Sequence, residues 1–106
     1  AILRAGAGAI LRIIVEENVS SKVCEVKNQL GIHARPAAKF VKLASRFEAE
    51  IVVEKDGEAV NGKSIMGLMM LAAGPGAQLK VEATGKDAEE AANELSSLID
   101  RNFDEG

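Results

Sequence analysis

The dipeptide Asp56-Gly57 restricts the fold of this chain more than any other feature of its sequence. It separates two strand-like runs, Glu50–Lys55 and residues 58–60. Asp-Gly is favoured in the two-residue turns that join antiparallel strands, because both turn positions need a positive φ. The 106-residue chain is therefore expected to contain a β-hairpin and at least a partly antiparallel sheet.

Two further runs predict strands. Residues 22–27 alternate, with Cys24 and Val26 on one face, and residues 28–31 follow as a loop. Residues 78–84 alternate more regularly and direct three apolar side chains to one face: Leu79, Val81 and Ala83. Because Cys24 is the only cysteine, an internal disulfide is excluded, and its strand position predicts a buried, reduced thiol.

Three stretches have the period of a helix that is buried along one stripe. The first follows Pro36 and has apolar positions at Ala37, Phe40, Val41, Ala44 and Phe47. The second begins after Ser64 as N-cap and ends before residues 74–76, with helical spacing of Ile65, Leu68, Met69 and Ala72. In the third, Asp87 and Glu90 resemble a capping box, and the stripe is Ala91, Leu95, Leu98 and Ile99.

The order of elements is β-α-β-β-α-β-α, which indicates an α+β fold with helices over one face of an antiparallel sheet. The chain is 47% hydrophobic but only 3% aromatic, so we expect an aliphatic, alanine-rich core. Its large members are expected to be Phe40, Phe47 and Phe103.

Residues 1–18 differ from the rest, and residues 19–106 are expected to form the domain. The segment is apolar but contains Arg4 and Arg12, is too short to span a bilayer, and lacks the order of a secretory signal. Its apolar residues have the spacing of one helical stripe, which consists of Leu3, Ala7, Ile10, Leu11 and Ile14. Gly6 and Gly8 weaken this prediction of a helix. A natural extension, a linker from a larger chain and a cloning artefact remain as alternatives.

The net charge of −3 argues against nucleic acid as a partner, because there is no global positive field. The sequence has no Cys/His cluster that predicts a metal site. We expect a cytoplasmic protein that needs no cofactor, no metal and no membrane.

His33, the only histidine, lies at or beside the N-cap of the first helix, since Pro36 fits the first turn. Orphan N–H groups and the helix dipole attract anions there, and Arg35 adds a forked donor suited to phosphate. A neutral imidazole is a nucleophile near neutral pH. The motif therefore predicts a histidine that carries a phosphoryl group. No glycine-rich nucleotide loop accompanies it, so the chain is not expected to cleave a nucleotide itself.

Two features of the second helix allow a structural and a functional interpretation. Ser64 can be an ordinary N-cap, or a modified serine whose phosphate the helix dipole tolerates. Leu68 and Leu71 fit the core, whereas other apolar residues are expected near the surface, where flexible methionine suits several partners: Ile65, Met66 and Met69. Burial of all of them is the alternative.

Two motifs carry a resemblance to a known family: Gly-Ile-His-Ala-Arg-Pro-Ala at 31–37 and Asn-Gly-Lys-Ser-Ile-Met-Gly-Leu-Met-Met-Leu at 61–71. Residues 19–104 resemble the histidine-containing phosphocarrier (HPr) family of the bacterial phosphoenolpyruvate:sugar phosphotransferase system. The resemblance implies an open-faced sandwich with a four-stranded antiparallel sheet and three helices on one face. It also implies a carrier rather than an enzyme: enzyme I phosphorylates Nδ1 of His33 with phosphoenolpyruvate, and the group passes to IIA domains of sugar permeases.

The resemblance assigns further roles. Arg35 would stabilise the phosphohistidine, Pro36 would shape the helix start, and Ser64 would be the regulatory target of an HPr kinase/phosphorylase. The partner-binding patch would consist of Ala38, Ile65, Met66 and Met69. The Met-Met-Leu-Ala-Ala run is closer to proteobacterial members, which weakens the case for a catabolite corepressor.

Two functional hypotheses follow. The first is a phosphocarrier for sugar transport. The second is a mainly regulatory member, similar to the nitrogen-related branch, that controls transporters, kinases or transcription regulators by its phosphorylation state. A binding domain whose capping residues have no chemical role is the third alternative.

Overall fold

Four strands and three α-helices make up the part of this computed structural model that is described, residues 18–105. In chain order they are β1 (Val19–Glu25), α1 (Ala34–Ala44), β2 (Glu50–Lys55), β3 (Glu58–Asn61), α2 (Ile65–Met70), β4 (Gln78–Thr84) and α3 (Ala88–Asp100). A 3₁₀ turn, Asn102–Asp104, follows α3. The predicted order β-α-β-β-α-β-α is confirmed. The helical stripe predicted between Leu3 and Ile14 lies outside the described residues.

The strands form one antiparallel sheet in the order β1-β4-β2-β3. Lys55 pairs with Glu58 across the predicted hairpin. Between them Asp56 and Gly57 have φ values of 52° and 84°, as the Asp-Gly turn requires. The hairpin prediction is therefore confirmed.

One face of the sheet is covered and the other is open. On the covered face, Cys24 pairs with Leu79 and Val53 pairs with Val81, and all four side chains are buried. Helix α3 packs against β1 and β4, while α1 contacts α2 and α3. On the open face Val23 is 67% exposed. This confirms the α+β layer that the sequence pattern predicted and the open-faced sandwich that the family resemblance implied.

The core is aliphatic, as expected, with Phe40 and Phe103 as its buried aromatic side chains and Phe47 packed at its margin. Burial raises the pKa of the Cys24 thiol to about 11, with a further contribution from the Asp100 carboxylate. The thiol therefore stays protonated at neutral pH, which agrees with the predicted buried, reduced cysteine.

Three predicted boundaries were wrong. Strand β1 begins at Val19 and ends at Glu25, because Val26 leaves the ladder to form backbone bonds with Gly76 and Ala77. Helix α1 ends at Ala44, so Phe47 lies in the following turn. Helix α2 ends at Met70, and Ala72 turns into the left-handed region at φ 51°.

The capping box predicted at α3 is also wrong. Asp87 is the N-cap residue, but its side chain caps nothing in its own helix. Its two carboxylate oxygens instead accept hydrogen bonds, each 2.9 Å long, from the backbone N–H groups of Glu48 and Ala49. The carboxylate therefore connects α3 to the segment that leads into β2.

Candidate functional site

His33 occupies the N-cap position of α1, as the sequence predicted, and its backbone is extended (φ −104°, ψ −168°). Its carbonyl oxygen accepts the first helical hydrogen bond, 3.0 Å from the N–H of Ala37. Its imidazole makes no capping hydrogen bond and is partly exposed. The ring is thus available for chemistry while its backbone is held by the helix.

The chain on both sides of His33 is anchored. Ile32 is buried, and its N–H donates to the carbonyl oxygen of Ala73 at 2.9 Å. After the histidine, Pro36 and Ala37 are buried against the core. Because a proline is accommodated in the first helical turn, it contributes packing there without removing a helical hydrogen bond.

The loop before the histidine depends on Gly31, which has a φ of 70°. The Asn28 side chain donates from Nδ2 to the Gly31 carbonyl at 2.6 Å, and the Gly31 N–H donates to the Asn28 carbonyl at 3.0 Å. These bonds give the loop one geometry and therefore direct His33 to the surface.

His33 and Arg35 line one open depression of about 330 Å³. The structure thus brings together the two residues that the sequence singled out. Its other lining residues are Lys27, Asn28, Gln29, Leu30, Asn102 and Glu105. The depression has room for a phosphoryl group and opens to solvent, so a partner protein can reach the imidazole.

Arg35 is 72% exposed and forms an ion pair with Glu105, with Nε 2.8 Å from Oε1. Lys39, one turn further along α1, places Nζ 2.5 Å from the other carboxylate oxygen. Lys39, and then Arg35, hold the pKa of Glu105 below its ordinary value by their hydrogen bonds. Among the described residues the site therefore combines a nucleophilic ring and one carboxylate with three cations, Lys27, Arg35 and Lys39.

The start of α1 also supplies backbone donors. The first helical hydrogen bond is made by Ala37, so the N–H groups of Ala34 and Arg35 have no acceptor within the helix. Such groups, with the helix dipole, favour an anion next to the N-cap. A phosphoryl group on His33 would lie at this end of the helix.

Sequence reasoning missed Asn102 and Glu105. Neither has a local motif, and seventy positions separate Arg35 from Glu105. It also missed Leu30, which is exposed at the rim of the depression. Only its closeness to His33 in the sequence would have pointed to it.

Ser64 caps α2, as predicted. Its Oγ accepts a hydrogen bond from the Gly67 N–H at 3.0 Å, and its backbone is extended. The side chain is partly exposed. Capping explains the serine structurally and leaves its hydroxyl within reach of a modifying protein.

The exposed apolar side chains of α2 form a surface beside α1, which we call the α2 patch: Ile65, Met66, Met69 and Met70. The sequence predicted the exposure of the first three but not that of Met70. Leu68 and Leu71 are buried, as expected, and Ala38 on α1 is exposed. Apolar area of this kind on a small domain is a candidate contact surface.

In the part of the chain that the structure describes, no helix has the length and hydropathy to cross a membrane. The same residues contain no group of three acidic, histidine or cysteine side chains suited to a metal ion.

Comparison with protein families identifies the chain. The family model described as "PTS HPr component phosphorylation site" matches residues 20–101. The chain belongs to the HPr family. HPr proteins are phosphocarriers of the phosphotransferase system rather than enzymes, and the predictions of family and of carrier rather than enzyme are confirmed.

Curated relatives include an HPr and an HPr-like protein. Phosphocarrier protein HPr of Neisseria meningitidis is 50% identical over 82 residues, which cover 77% of this chain and 92% of the relative. HPr-like protein Crh of Bacillus subtilis is 47% identical over 81 residues, 76% of this chain and 94% of the relative. The similarity therefore extends across nearly the whole length of both relatives.

Solved structures agree with the assignment to the HPr family. An HPr from Thermoanaerobacter tengcongensis is similar with a TM-score of 0.78 and 48% identity, covering 82% of this chain and 98% of that one. The HPr fold thus accounts for the sheet and the helices described above.

Proposed function

We propose that this HPr-family chain carries a phosphoryl group on His33, which enzyme I donates from phosphoenolpyruvate and which IIA domains of sugar permeases accept. One observation supports this most: the imidazole at the N-cap of α1 makes no capping bond and shares an open depression with Arg35. The depression is open enough for donor and acceptor proteins to approach the same ring in turn.

In each transfer the Nδ1 lone pair of a neutral imidazole forms the bond to phosphorus. The bond between phosphorus and the donor breaks, and its electron pair leaves with the donor, while the ring retains its Nε2 proton. Transfer to a IIA domain is the same step with the chain as donor. No water or nucleotide takes part in either transfer. Because the chain gives up the phosphoryl group that it accepted, the protein is unchanged after one cycle.

Arg35 and Pro36 support this step in different ways. The guanidinium stabilises charge on the phosphoryl oxygens as the group moves, since a forked donor matches their geometry. Pro36 is buried in the first turn and holds the helix start that presents His33. Both roles depend on the N-cap geometry described above.

We further propose that partners dock on the α2 patch and on Ala38, and that phosphorylation of Ser64 by an HPr kinase/phosphorylase controls docking. Ser64 immediately precedes the patch at the start of α2. A phosphate there would add negative charge beside Ile65, Met66 and Met69. It would therefore weaken apolar contacts without requiring the domain to unfold.

The deciding experiment incubates the full chain with phosphoenolpyruvate and a matching enzyme I, and then maps acid-labile phosphate. We expect one label, on His33, and none in His33→Ala. The fold should persist in that variant, because the His33 side chain makes no capping bond. Ser64→Ala is the control and should label fully. Labelling that survives in His33→Ala would refute the proposal.

A mainly regulatory role is the second candidate. The observation that favours it is the similarity to two HPr-like proteins named Crh, which are 50% and 47% identical to this chain. Transfer from labelled His33 to purified IIA domains separates the two roles. A chain that accepts the group but passes it to no IIA domain would be regulatory.

We also propose a cytoplasmic location for this function, because enzyme I and phosphoenolpyruvate act there. Residues 19–106 are proposed as the phosphocarrier domain, with residues 1–18 as an addition to it. Asn18 supports a boundary close to this position, since its carbonyl oxygen accepts a 2.8 Å hydrogen bond from the Gly85 N–H.

A further inference from the structure

All three methionines of this chain lie on one short helix, and all three are exposed. Met66, Met69 and Met70 belong to α2, and they are 73%, 42% and 67% exposed. Methionine is usually among the most buried residue types, because its flexible thioether fills gaps in cores. None of the three belongs to the core of this domain. Core packing therefore does not explain why the thioethers are concentrated on the α2 patch.

The fourth sulfur atom of the chain, in Cys24, is protected from the solvent. Cys24 is 5% exposed and lies on the covered face of the sheet. Burial raises its pKa to about 11, so the thiolate, which is the form that oxidants attack, is scarce at neutral pH. An oxidant in solution therefore reaches the thioethers of α2 before it reaches the thiol.

Oxidation would change the chemical character of the α2 patch. A lone pair of the thioether sulfur forms a bond to one oxygen of a peroxide, and the O–O bond breaks. The proton of the transferred oxygen moves to the other oxygen, which leaves as water. The sulfur is oxidised and the peroxide is reduced. The product is methionine sulfoxide, which replaces an apolar thioether with a polar S–O group.

This oxidation would leave the packing of α2 in place. The helix is held to the core by Leu68 and Leu71, which are both buried. It is capped by Ser64, whose Oγ accepts a hydrogen bond from the Gly67 N–H. None of these contacts uses a thioether. Because water can hydrate a sulfoxide at an exposed position, its effect would fall on a protein that binds the patch rather than on the fold.

The α2 patch also adjoins the phosphorylation site. Helix α2 packs against α1, the helix that begins at His33. The loop after α2 reaches the same place, since the Ala73 carbonyl oxygen accepts a hydrogen bond from Ile32, the residue before His33. A protein that approaches the imidazole therefore meets the thioethers at the edge of its contact.

We propose that the three methionines of the α2 patch form an oxidation-sensitive switch, in which conversion to sulfoxide by a peroxide weakens the docking of enzyme I. This proposal rests on the proposed docking role of the patch and on the proposed function of His33. A sulfoxide buried against an apolar surface without a hydrogen bond should raise KM about fivefold to a hundredfold. The switch is reversible, because methionine sulfoxide reductases restore the thioether.

The test treats the full chain with hydrogen peroxide, removes the peroxide with catalase and measures the kinetics of transfer from enzyme I to His33. Mass spectrometry should find sulfoxide first at Met66 and Met70 and later at Met69, with Cys24 still reduced. KM should rise while kcat and the urea midpoint change little. Treatment with methionine sulfoxide reductases A and B should return KM to its original value.

The matched control carries Met66→Leu, Met69→Leu and Met70→Leu together, since leucine is apolar, similar in volume and inert to peroxide. Each protein is compared only with its own untreated sample, so a different basal rate in the variant does not affect the result. Peroxide should leave KM of the leucine variant unchanged. If KM rises equally in that variant, the oxidant acts at another residue and the switch is refuted.

The remaining outcomes separate the switch from the carrier function. Sulfoxide at all three positions with an unchanged KM would overturn the switch and leave the carrier function intact. A loss of transfer that a lower urea midpoint explains completely would assign the effect to unfolding and would also overturn the switch. An untreated wild-type chain that takes up no phosphoryl group on His33 would overturn both proposals.

Discussion

Gly31 lies so close to Ala73 that a β-carbon at position 31 would be 2.3 Å from the Ala73 carbonyl oxygen. The same oxygen accepts the hydrogen bond of Ile32, the residue before the proposed phosphorylation site. The close approach and the positive φ of Gly31 together place His33 at the start of α1. Ile32, which directly precedes His33, is thus held by a hydrogen bond to Ala73, a residue distant in the sequence.

Gly31→Ala is therefore expected to lower the free energy of unfolding by about 2–3 kcal/mol, because it adds a clash to a strained backbone. It should also slow phosphoryl transfer, since the loop moves His33. Gly57→Ala is the matched control. Its φ is similarly positive at 84°, but a β-carbon there meets nothing within 4 Å. Urea unfolding of both variants measures the clash as their difference, and equal losses would show that no close contact exists at Gly31.

Local patterns predicted the order of elements, because strand alternation, helical stripes and an Asp-Gly turn each depend on neighbouring residues. The position of His33 at an N-cap was predictable for the same reason. The pairing of Arg35 with Glu105 was not, since it joins residues seventy positions apart through three non-glycine residues at positive φ. Asparagine and aspartate adopt positive φ more readily than other non-glycine residues, but Phe103 does not, and its burial holds the turn.

At Asp87 a local rule predicted a contact that does not form. The glutamate three residues later matches the local rule for a capping box, yet the carboxylate bonds to Glu48 and Ala49, thirty-nine and thirty-eight positions away. A local rule identifies which side chain can accept a bond from a backbone N–H. Tertiary structure decides which N–H is available.

Asp87 is expected to make stability depend on pH. The hydrogen bond from the Glu48 N–H, and then that from the Ala49 N–H, lower the pKa of Asp87 below its ordinary value of 3.8. As pH falls, the unfolded chain is then protonated before the folded one. The stabilisation is complete above the ordinary pKa and is lost as pH falls through the folded-state value.

Asp87→Asn should consequently unfold at lower urea concentration than the wild type at pH 7. The difference between the two urea midpoints, which we call the gap, should narrow below pH 3.8. The control is Asp56→Asn, whose carboxylate is 85% exposed in a turn that asparagine also favours. It should show little gap at either pH. A gap for Asp87→Asn that is the same at both would assign the effect to shape rather than charge.

Arg35→Ala should slow phosphoryl transfer into and out of His33 by about tenfold to a hundredfold. This is less than the loss of about a hundredfold to a thousandfold seen when one donor in a water-excluded site is removed, because the Arg35 side chain is 72% exposed. Arg35→Lys should recover only part of the rate, since an ammonium lacks the planar fork. Stopped-flow or quench kinetics with enzyme I and a IIA domain measure both directions. The control is Arg101→Ala, which removes an arginine outside the depression. If Arg35→Ala transfers the phosphoryl group as fast as Arg101→Ala does, Arg35 has no part in the mechanism.

Ser64→Asp should weaken productive contact with enzyme I more than it changes stability. Aspartate and asparagine both accept hydrogen bonds at N-caps, so Ser64→Asn retains the cap and lacks only the charge. The difference between the two variants in transfer kinetics isolates the effect of negative charge beside the α2 patch. If both variants lose rate only in proportion to their lower folded fraction, the effect is structural and the regulatory proposal fails.

Removal of residues 1–17 should leave phosphoryl transfer unchanged, because residues 18–105 contain the sheet, the three helices and the His33 depression. The deletion stops before Asn18, whose carbonyl bonds to the Gly85 N–H. A deletion of residues 1–18 is therefore the matched variant and should be less stable by about 1 kcal/mol.

The alternative is that apolar residues of the segment, Ile10, Leu11, Ile13 and Ile14, cover apolar surface on the domain or on a second copy. Size-exclusion chromatography and transfer assays decide: a shortened chain that aggregates, or loses activity with His33 intact, would make the segment part of the working molecule.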